Sequence, residues 1–479
     1  MPETISAIKL RLNPDSETAG RLDDQSRKCN WLYNQLLQRA NQLRDQYKAQ
    51  PDDAIAQVLY TNHGLRNLVP GLKEENPFLR TVYSSPLKNT ALRLTDCIQA
   101  YQKSRKGQRR GRTTGWPGFR AWRRKWFSLF YDEPGKGFRI TQKALYLSLG
   151  TGEDLKRHTL KIPISDSSIL KDKEIRSLRI VKQAGIFSAV LTVTRVLPEQ
   201  KPIKRVIALD PNHKNFAYGV DSAGKAIEIE RPWWLKRYEQ RLDELKSLRD
   251  SKKKKSQFIE TPHGKYFISS RRYQKINQTI ERVLAKRREQ TKVFMSTLAN
   301  RLYQDYDFVG IGDYTPKGGG ITPAMRRSMN NQSLIGRFKE VSQWTAQKSG
   351  KHFAEFDECG TTRTCHQCQY VVEGGLKPSQ REWVCESCQT PHIRDENAAI
   401  NGLRRILWDL SEKRSEDSGR VPGSGPVLVQ AVQERWAWRV GPRGVYCTSR
   451  GTRSSSVSHR QEIKRKAWQP SIQTDQLCA

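Results

Sequence analysis

The sequence predicts a multi-domain α/β protein that handles nucleic acid, and three observations predict it. The first is size and charge: 479 residues exceed one ordinary core, and 85 Lys and Arg stand against 49 Asp and Glu, a formal net charge of +36. A balance of that sign draws phosphate toward the protein. The second is a change of pattern along the chain, from helical periods to short alternating runs to continuous apolar runs. The third is a pair of C-x-x-C arms lying among the apolar runs. Trp, Tyr and Phe are plentiful enough for folded cores, so the charge is not that of a disordered tail. No run approaches the roughly 18 apolar residues of a membrane-spanning helix. The first residues lack the apolar core of a signal peptide, so a cytoplasmic protein with no membrane partner is expected.

Taken in order, Ile8, Leu10 and Leu12 alternate with Lys9 and Arg11, which predicts a first strand ended by Asn13-Pro14. Leu22, Cys29, Leu32, Tyr33, Leu36, Leu37, Ala40 and Leu43 recur at helical spacing up to Pro51. Further helices are expected near 52–61 and 86–104. Residues 103–125, KSRKGQRRGRTTGWPGFRAWRRK, interleave base-stacking Trp116, Phe119 and Trp122 with cations, marking Arg109, Arg110, Arg120, Arg123, Arg124 and Lys125 as candidate nucleic-acid contacts. The alternative is a solvated loop anchored by its aromatics. Alternating runs at 126–131, 145–149, 159–164, 178–182 and 187–196 predict a small barrel or sandwich that includes the first strand.

Residues 206–209 form a continuous apolar run ending in Asp210, the pattern of a buried strand delivering a carboxylate at its end. A long basic helix over 270–303 follows, with Arg271, Arg272 and Lys275 as candidate phosphate ligands or else a solvated face. A second buried strand, 308–311, ends at Gly312-Asp313. The glycine run at 318–320 reads as a mobile loop. A helix over 333–349 leads to a third strand at 352–358, and Asp395 opens a helix after the cysteines. From 412 on, Gly, Ser, Pro and charge replace any period, which predicts a poorly ordered basic tail.

Cys365-x2-Cys368 and Cys385-x2-Cys388, sixteen residues apart, match a closed four-thiolate zinc site, structural because no ligand position is left for water. His366 and His392 read as bystanders. Asp210 and Asp395, distant in sequence, are the kind of hard oxygen ligands that two-metal phosphodiester cleavage needs. Singly, each also fits a turn residue or a helix N-cap.

Over about residues 1–410 the parts resemble the TnpB family of transposon-encoded RNA-guided nucleases and the related compact type V CRISPR effectors. The resemblance is carried by KLRLNP, the WLYN helix, GWPGFRAWRRKWFSLFY, LDPNHKNFA, REWVCESC and, most specifically, HIRDENAAIN. It implies a wedge first strand at 1–14, a helical recognition lobe at 15–122 and a wedge β-barrel at 123–203. It also implies a RuvC-like domain of RNase H fold at 204–358, a zinc ribbon at 359–391, the last RuvC-like helix at 392–411 and the tail at 412–479. By the same resemblance the chain is an RNA-guided DNA endonuclease of a prokaryotic nucleoid. It cleaves target DNA beside a short adjacent motif, with guide RNA and double-stranded target as partners and Zn2+ and Mg2+ as ions. Tyr83, Ser84, Lys88 and Asn89 would contact the adjacent motif. The alternative is a nuclease-inactive guided DNA-binding protein.

Asp210 and Asp395 match the family's first and last catalytic aspartates, but the middle glutamate is replaced by Gly312, and Ile393 stands where an aspartate is common. Glu358 at the end of the next strand is the favoured substitute, leaving Asp210, Glu358 and Asp395 as magnesium ligands. Asp313 and Glu355 compete with it for that role, and loss of cleavage is the remaining outcome. Strand alternation turns Asp313 to the opposite face from position 312.

Overall fold

The structure is a computed structural model describing residues 3–109, 112–121, 126–152, 156–164, 168–212, 215–261, 264–313, 334–377, 380–418, 431–441 and 443–450. The chain divides into two compact units. One comprises residues 1–201, 233–293 and 347–350; the other comprises 202–232, 294–346 and 351–479.

The first unit opens with β1 (Glu3–Leu12), and Asp15 then caps α1 (Ser16–Ala49) by accepting from the Thr18 N–H at 2.7 Å. Four shorter helices follow: α2 (Asp53–Tyr60), α3 (Gly64–Asn67), α4 (Val69–Glu75) and α5 (Ser84–Arg105). The expected stripe on α1, from Leu22 to Ala40, is buried. Strands β2 (Leu129–Tyr131), β3 (Phe138–Ile140), β4 (Ala144–Thr151), β5 (Arg157–Pro163), β6 (Ile175–Gln183) and β7 (Ile186–Val196) complete this part. They form two antiparallel sheets, β1-β7-β6-β2 and β3-β4-β5, bridged at Leu12 and Ile164. A single apolar cluster, from Leu12 through Leu37 and Leu94 to Leu191, runs under helices and strands alike. The alternating runs are therefore strands, as expected. β3 was too short to show a period.

The second unit is built on a seven-stranded sheet. β8 (Val206–Pro211), β9 (Ala217–Asp221) and β10 (Lys225–Ile229) are consecutive and antiparallel. The chain then makes α6 (Trp234–Ser251), the hairpin β11 (Gln257–Thr261) and β12 (Gly264–Ile268), and α7 (Arg271–Asp305). Residues 233–293 of this excursion group with the first unit, where Leu242 and Leu245 of α6 pack on Ile280 of α7. Back in the sheet, β13 (Phe308–Gly312) joins β8 in parallel. After α8 (Ile335–Ser349), β14 (His352–Phe356) joins β13, also in parallel. The ribbon's β15 (Glu382–Val384) and β16 (Pro391–Ile393) pair with each other, and α9 (Arg394–Ser418) returns across the sheet.

Val206, Ala208, Phe308 and Phe356 face Ala399, Ile400, Leu403 and Ile406 of α9. Gly310 permits the approach: a Cβ there would lie 2.0 Å from Ile406 Cδ1. By strand alternation, Asp210 and position 312 share this α9-facing side.

The expected tail is corrected over part of its length. Residues 434–441 and 444–449 form β17 (Glu434–Gly441) and β18 (Gly444–Ser449). β17 pairs in parallel with β10, and β18 closes the sheet order β14-β13-β8-β9-β10-β17-β18. Trp436, Trp438 and Val440 do alternate, and Trp438 is fully buried. Two cations, Arg435 and Arg439, flanking the aromatics disguised a strand as tail. α9 likewise runs on past residue 411. The glycine loop at 318–320 lies outside the described residues. Among the described residues, no helix is long and apolar enough to cross a membrane.

If the hairpin is core, Trp438→Ala should destabilise the chain by about 3–5 kcal/mol. A chemical denaturation midpoint equal to wild type would show that the hairpin adds nothing to the fold.

Candidate nuclease centre and metal ribbon

Asp210 comes from the end of β8 and is 7% exposed. Glu358 lies two residues beyond β14, where its peptide N–H donates to Asp313 Oδ1 at 3.3 Å. Its side chain folds over Gly312: a Cβ at 312 would stand 1.9 Å from Glu358 Oε1 and 2.5 Å from its Cγ. Glu358 thus fills the volume that a side chain at 312 would enter, on the same sheet face as Asp210. Asp313 takes the other role, fixing the Glu358 backbone, as the alternation of the strand requires. Glu355 is drawn away by Lys339, whose Nζ lies 2.6 Å from its carboxylate.

Asp395 sits in the first turn of α9, where Arg381, just before β15, donates to both its oxygens at 3.2 and 3.4 Å. Burial pushes the Asp210 carboxyl well above the usual carboxylate range. The charges of Glu358 and Asp395 push it the same way, and Arg394 opposes them. The structure therefore brings all three carboxylates into electrostatic contact. They are spread more widely than ligands of one ion, since among the described residues only the cysteine cluster gathers three or more such ligand atoms within 4.8 Å. A pair of ions some 3.5–4 Å apart accepts that wider spread.

In the ribbon, Cys365 and Cys388 Sγ are 3.6 Å apart, as are Cys368 and Cys385, and all four sulfurs lie within 4.8 Å. A tetrahedron with Zn–S near 2.3 Å has edges of about 3.8 Å, so the set fits zinc. Each C-x-x-C arm closes in the same way: Gln369 N–H donates to Cys365 O and Gln389 N–H to Cys385 O, both at 2.9 Å, with positive φ at each glutamine. Hydrogen bonding with Thr390 lowers the Cys388 thiol to about 6. His392 is more than a bystander, because its Nε2 lies 3.1 Å from Cys365 Sγ and burial holds the ring down at about 4, neutral.

The ribbon is tied to α9 by two asparagines. Asn397 and Asn401 Nδ2 both donate to Thr361 O and Thr364 O, at 2.8 to 3.2 Å, and Asn397 Oδ1 accepts from the His366 N–H. Beside Asp395, Glu396 accepts from Tyr218 Oη and, in a two-pronged bond, from Arg435 of β17, all at 2.9 Å. Neither the asparagine ties nor the Arg435 pair was foreseen in the sequence.

The candidate nucleic-acid residues divide. Arg120 is a packing residue: its Nε donates to Asn30 at 2.7 Å and its guanidinium covers Phe127 and Tyr33. Trp116 likewise anchors, donating to Asn41 at 2.7 Å under Arg44. Tyr83 is buried and hydrogen-bonded to Glu133, which also pairs with Lys88 at 3.9 Å. Ser84 and Asn89 are partly buried on α5. Arg109, Arg271, Arg272 and Lys275 are exposed, as is Phe119 at 63%. Trp122, Arg110, Arg123, Arg124 and Lys125 lie outside the described residues.

Residues 336–402, from α8 through the ribbon into α9, match the family described as Cas12f1-like, TNB domain. A candidate RNA-guided DNA endonuclease of Mycobacterium tuberculosis is 20% identical over 345 residues, 69% of this chain and 71% of that protein. The CRISPR-associated DNA-binding protein Cas12m of Allomeiothermus silvanus is 29% identical over 129 residues, 26% of this chain and 24% of that protein. The solved Cas12f1 complex with guide RNA and target DNA superposes with a TM-score of 0.47 at 11% identity, over 83% of this chain and 98% of that one. The family match and the two relatives bear out the resemblance to TnpB proteins and compact type V effectors.

Because the folded state raises the Asp210 pKa, its penalty is absent below about pH 4. It grows as pH rises toward the folded value and is complete above it. In metal-free buffer at neutral pH, Asp210→Asn should therefore melt higher than wild type, by about 2–4 °C per kcal/mol relieved. The gap should close on acidification, and Mg2+ should raise the melting temperature of the wild type alone. A variant that melts lower than wild type at neutral pH would contradict the crowding of charge at Asp210.

Proposed function

We propose that the chain is an RNA-guided DNA endonuclease that hydrolyses phosphodiester bonds at Asp210, Glu358 and Asp395. One observation carries the reading: the Glu358 side chain occupies the space above Gly312 and, with Asp395, loads its charge onto buried Asp210. Negative charge is crowded at the end of β8, and crowding of that kind suits a hard cation. The sheet supports a RuvC-like RNase H reading, with three antiparallel strands, β8 to β10, flanked by parallel β13 and β14. The name of the Mycobacterium tuberculosis relative supports guided cleavage of DNA.

Asp210, Glu358 and Asp395 would together hold a pair of Mg2+ ions. Bound there, the pair supplies a water activated for attack and neutralises charge on the leaving oxygen. The residues set the conditions. Burial keeps bulk water from Asp210, the Asp313 cap holds Glu358 over the glycine, and the first turn of α9 aims Asp395. Arg381, 42% exposed, would hold the Asp395 carboxylate until ligand arrives.

Guide pairing would read the sequence, while exposed Arg109, Arg271, Arg272 and Lys275 hold the sugar-phosphate backbone. The adjacent motif would be read by the helical lobe and wedge, through Ser84 and Asn89 and with Tyr83 and Lys88 held by Glu133. Zinc in the cysteine set would keep the ribbon folded beside the first turn of α9.

A second reading, guided binding without cleavage, is favoured by the match to a protein named for DNA binding. A plasmid assay with guide RNA and Mg2+ separates the two. The wild type should cut the target, Asp210→Ala and Glu358→Ala should each lose about 100-fold or more, and Asp313→Ala about 10-fold. Tight target binding by wild type without a nick would decide for the second reading. Undiminished cutting by Glu358→Ala would remove that residue from the site. Separately, Cys385→Ser should abolish stoichiometric zinc, read by atomic absorption. Full zinc retention would remove Cys385 from the ligand set.

A further inference from the structure

We propose that Arg435, on the C-terminal hairpin, is a positioning residue for the nuclease site, acting through Glu396 on Asp395; this rests on the nuclease reading above. Glu396 follows Asp395 directly in the first turn of α9. One residue turns an α-helix by about 100°, so the two side chains leave one backbone turn in different directions. Holding Glu396 restrains the rotation of that turn, and with it the direction in which the Asp395 Cα–Cβ bond leaves the helix.

Glu396 is 7% exposed and is fixed on two sides: Tyr218 Oη from β9 at 2.9 Å, and the Arg435 fork, Nε and Nη2, each at 2.9 Å. The fork sets both the direction and the rotation of the carboxylate, which a single hydroxyl cannot do. Arg435 is itself held in register by the sheet, where it lies opposite Ala226 of β10. Its peptide oxygen accepts from the Arg450 N–H on the hairpin's return at 2.8 Å. The rotation of α9 about its axis, and with it the aim of Asp395 toward Asp210, is thus set from a segment after the last helix. The hairpin of β17 and β18 then cannot be dispensable protein, and truncation before β17 should disable the site even when the guide is supplied separately.

The test uses the full chain with guide RNA and two readouts, Mn2+ affinity by electron paramagnetic resonance and single-turnover cleavage of target DNA. Arg435→Met should weaken Mn2+ binding about 10-fold and slow cleavage by at least as much, with target affinity unchanged. Arg435→Lys, which keeps charge but not the fork, should fall between. Arg439→Met, on the same strand, removes a comparable fork from exposed Arg439 to half-buried Glu230 and should stay within about two-fold of wild type. Should Arg435→Met fail to fold, Glu396→Gln decides, since it keeps the shape and loses the charged pair; it should be impaired in both readouts. Wild-type Mn2+ affinity and cleavage in the folded variants overturn the inference and leave the nuclease reading standing. A wild type that binds Mn2+ without cutting, with Arg435→Met binding it more weakly, overturns cleavage but upholds the positioning role. A wild type with neither property sinks both.

Discussion

Asp210 is buried at the end of β8 with two further carboxylates bearing on it, and much of the second unit can be understood as what makes that arrangement tolerable. An isolated carboxylate in such surroundings would be expensive, and two like charges nearby make it more so. The fold answers with neighbours rather than with solvent. Arg394 offsets the charge at Asp210, Arg381 takes Asp395, Lys339 takes Glu355 and Arg435 takes Glu396. Asp210 still bears the charges of Glu358 and Asp395 on top of its burial, and a cation beside it would relieve them. The N-terminal turn of α9 adds its own contribution, since backbone N–H groups there favour the carboxylates of Asp395 and Glu396.

The glycine at 312 is the companion constraint. On an all-apolar strand buried on both faces, a side chain at the last position would point at α9. Here that volume belongs to Glu358, reaching back from beyond β14. A carboxylate delivered from outside the strand has more torsions to immobilise than one rooted in it. The Asp313 cap on the Glu358 N–H and the Asp313 N–H bond to Phe356 O, at 3.3 and 2.9 Å, restrict the segment that carries it. The neighbour that cannot turn inward is thus used to hold the one that can.

Much of this was readable in the sequence, for physical reasons that differ by element. The 206–209 run and the cysteine spacing are local signals in which burial or ligation dictates residue type at each position. Position 312 was readable because glycine excludes a role there, and alternation separates Asp313 from it. What escaped was non-local or mixed in character. β9 and β10 are five residues each, too short for periodicity to speak. β17 hides its alternation behind arginines that prove to be ion-paired, one to Glu396 inside the fold and one to Glu230 near the surface. Arg120 failed in the opposite direction: a basic, aromatic-rich segment suggests phosphate, but its guanidinium is spent on Asn30 and two rings. Sequence cannot tell an arginine that is waiting for a ligand from one already packed, because both serve the same amphipathic side chain.

Helix α9 is where these threads meet. Within its first two turns it sends Asp395 to the carboxylate cluster, Glu396 to β9 and the hairpin, and Asn397 with Asn401 to the ribbon, while Ala399 and Ile400 seat it on the sheet. Successive residues about 100° apart make this division possible: one rigid turn can address three surroundings, but it cannot satisfy one by moving relative to another. The cysteine ribbon and the C-terminal strand, remote from each other in sequence, therefore both bear on the first two turns of the same helix. The metal set is closed to chemistry by its four thiolates, yet Asn397 ties the ribbon to the turn of α9 that carries Asp395. In the proposed reaction its effect would be mechanical, carried by two asparagine side chains and the stiffness of a single turn.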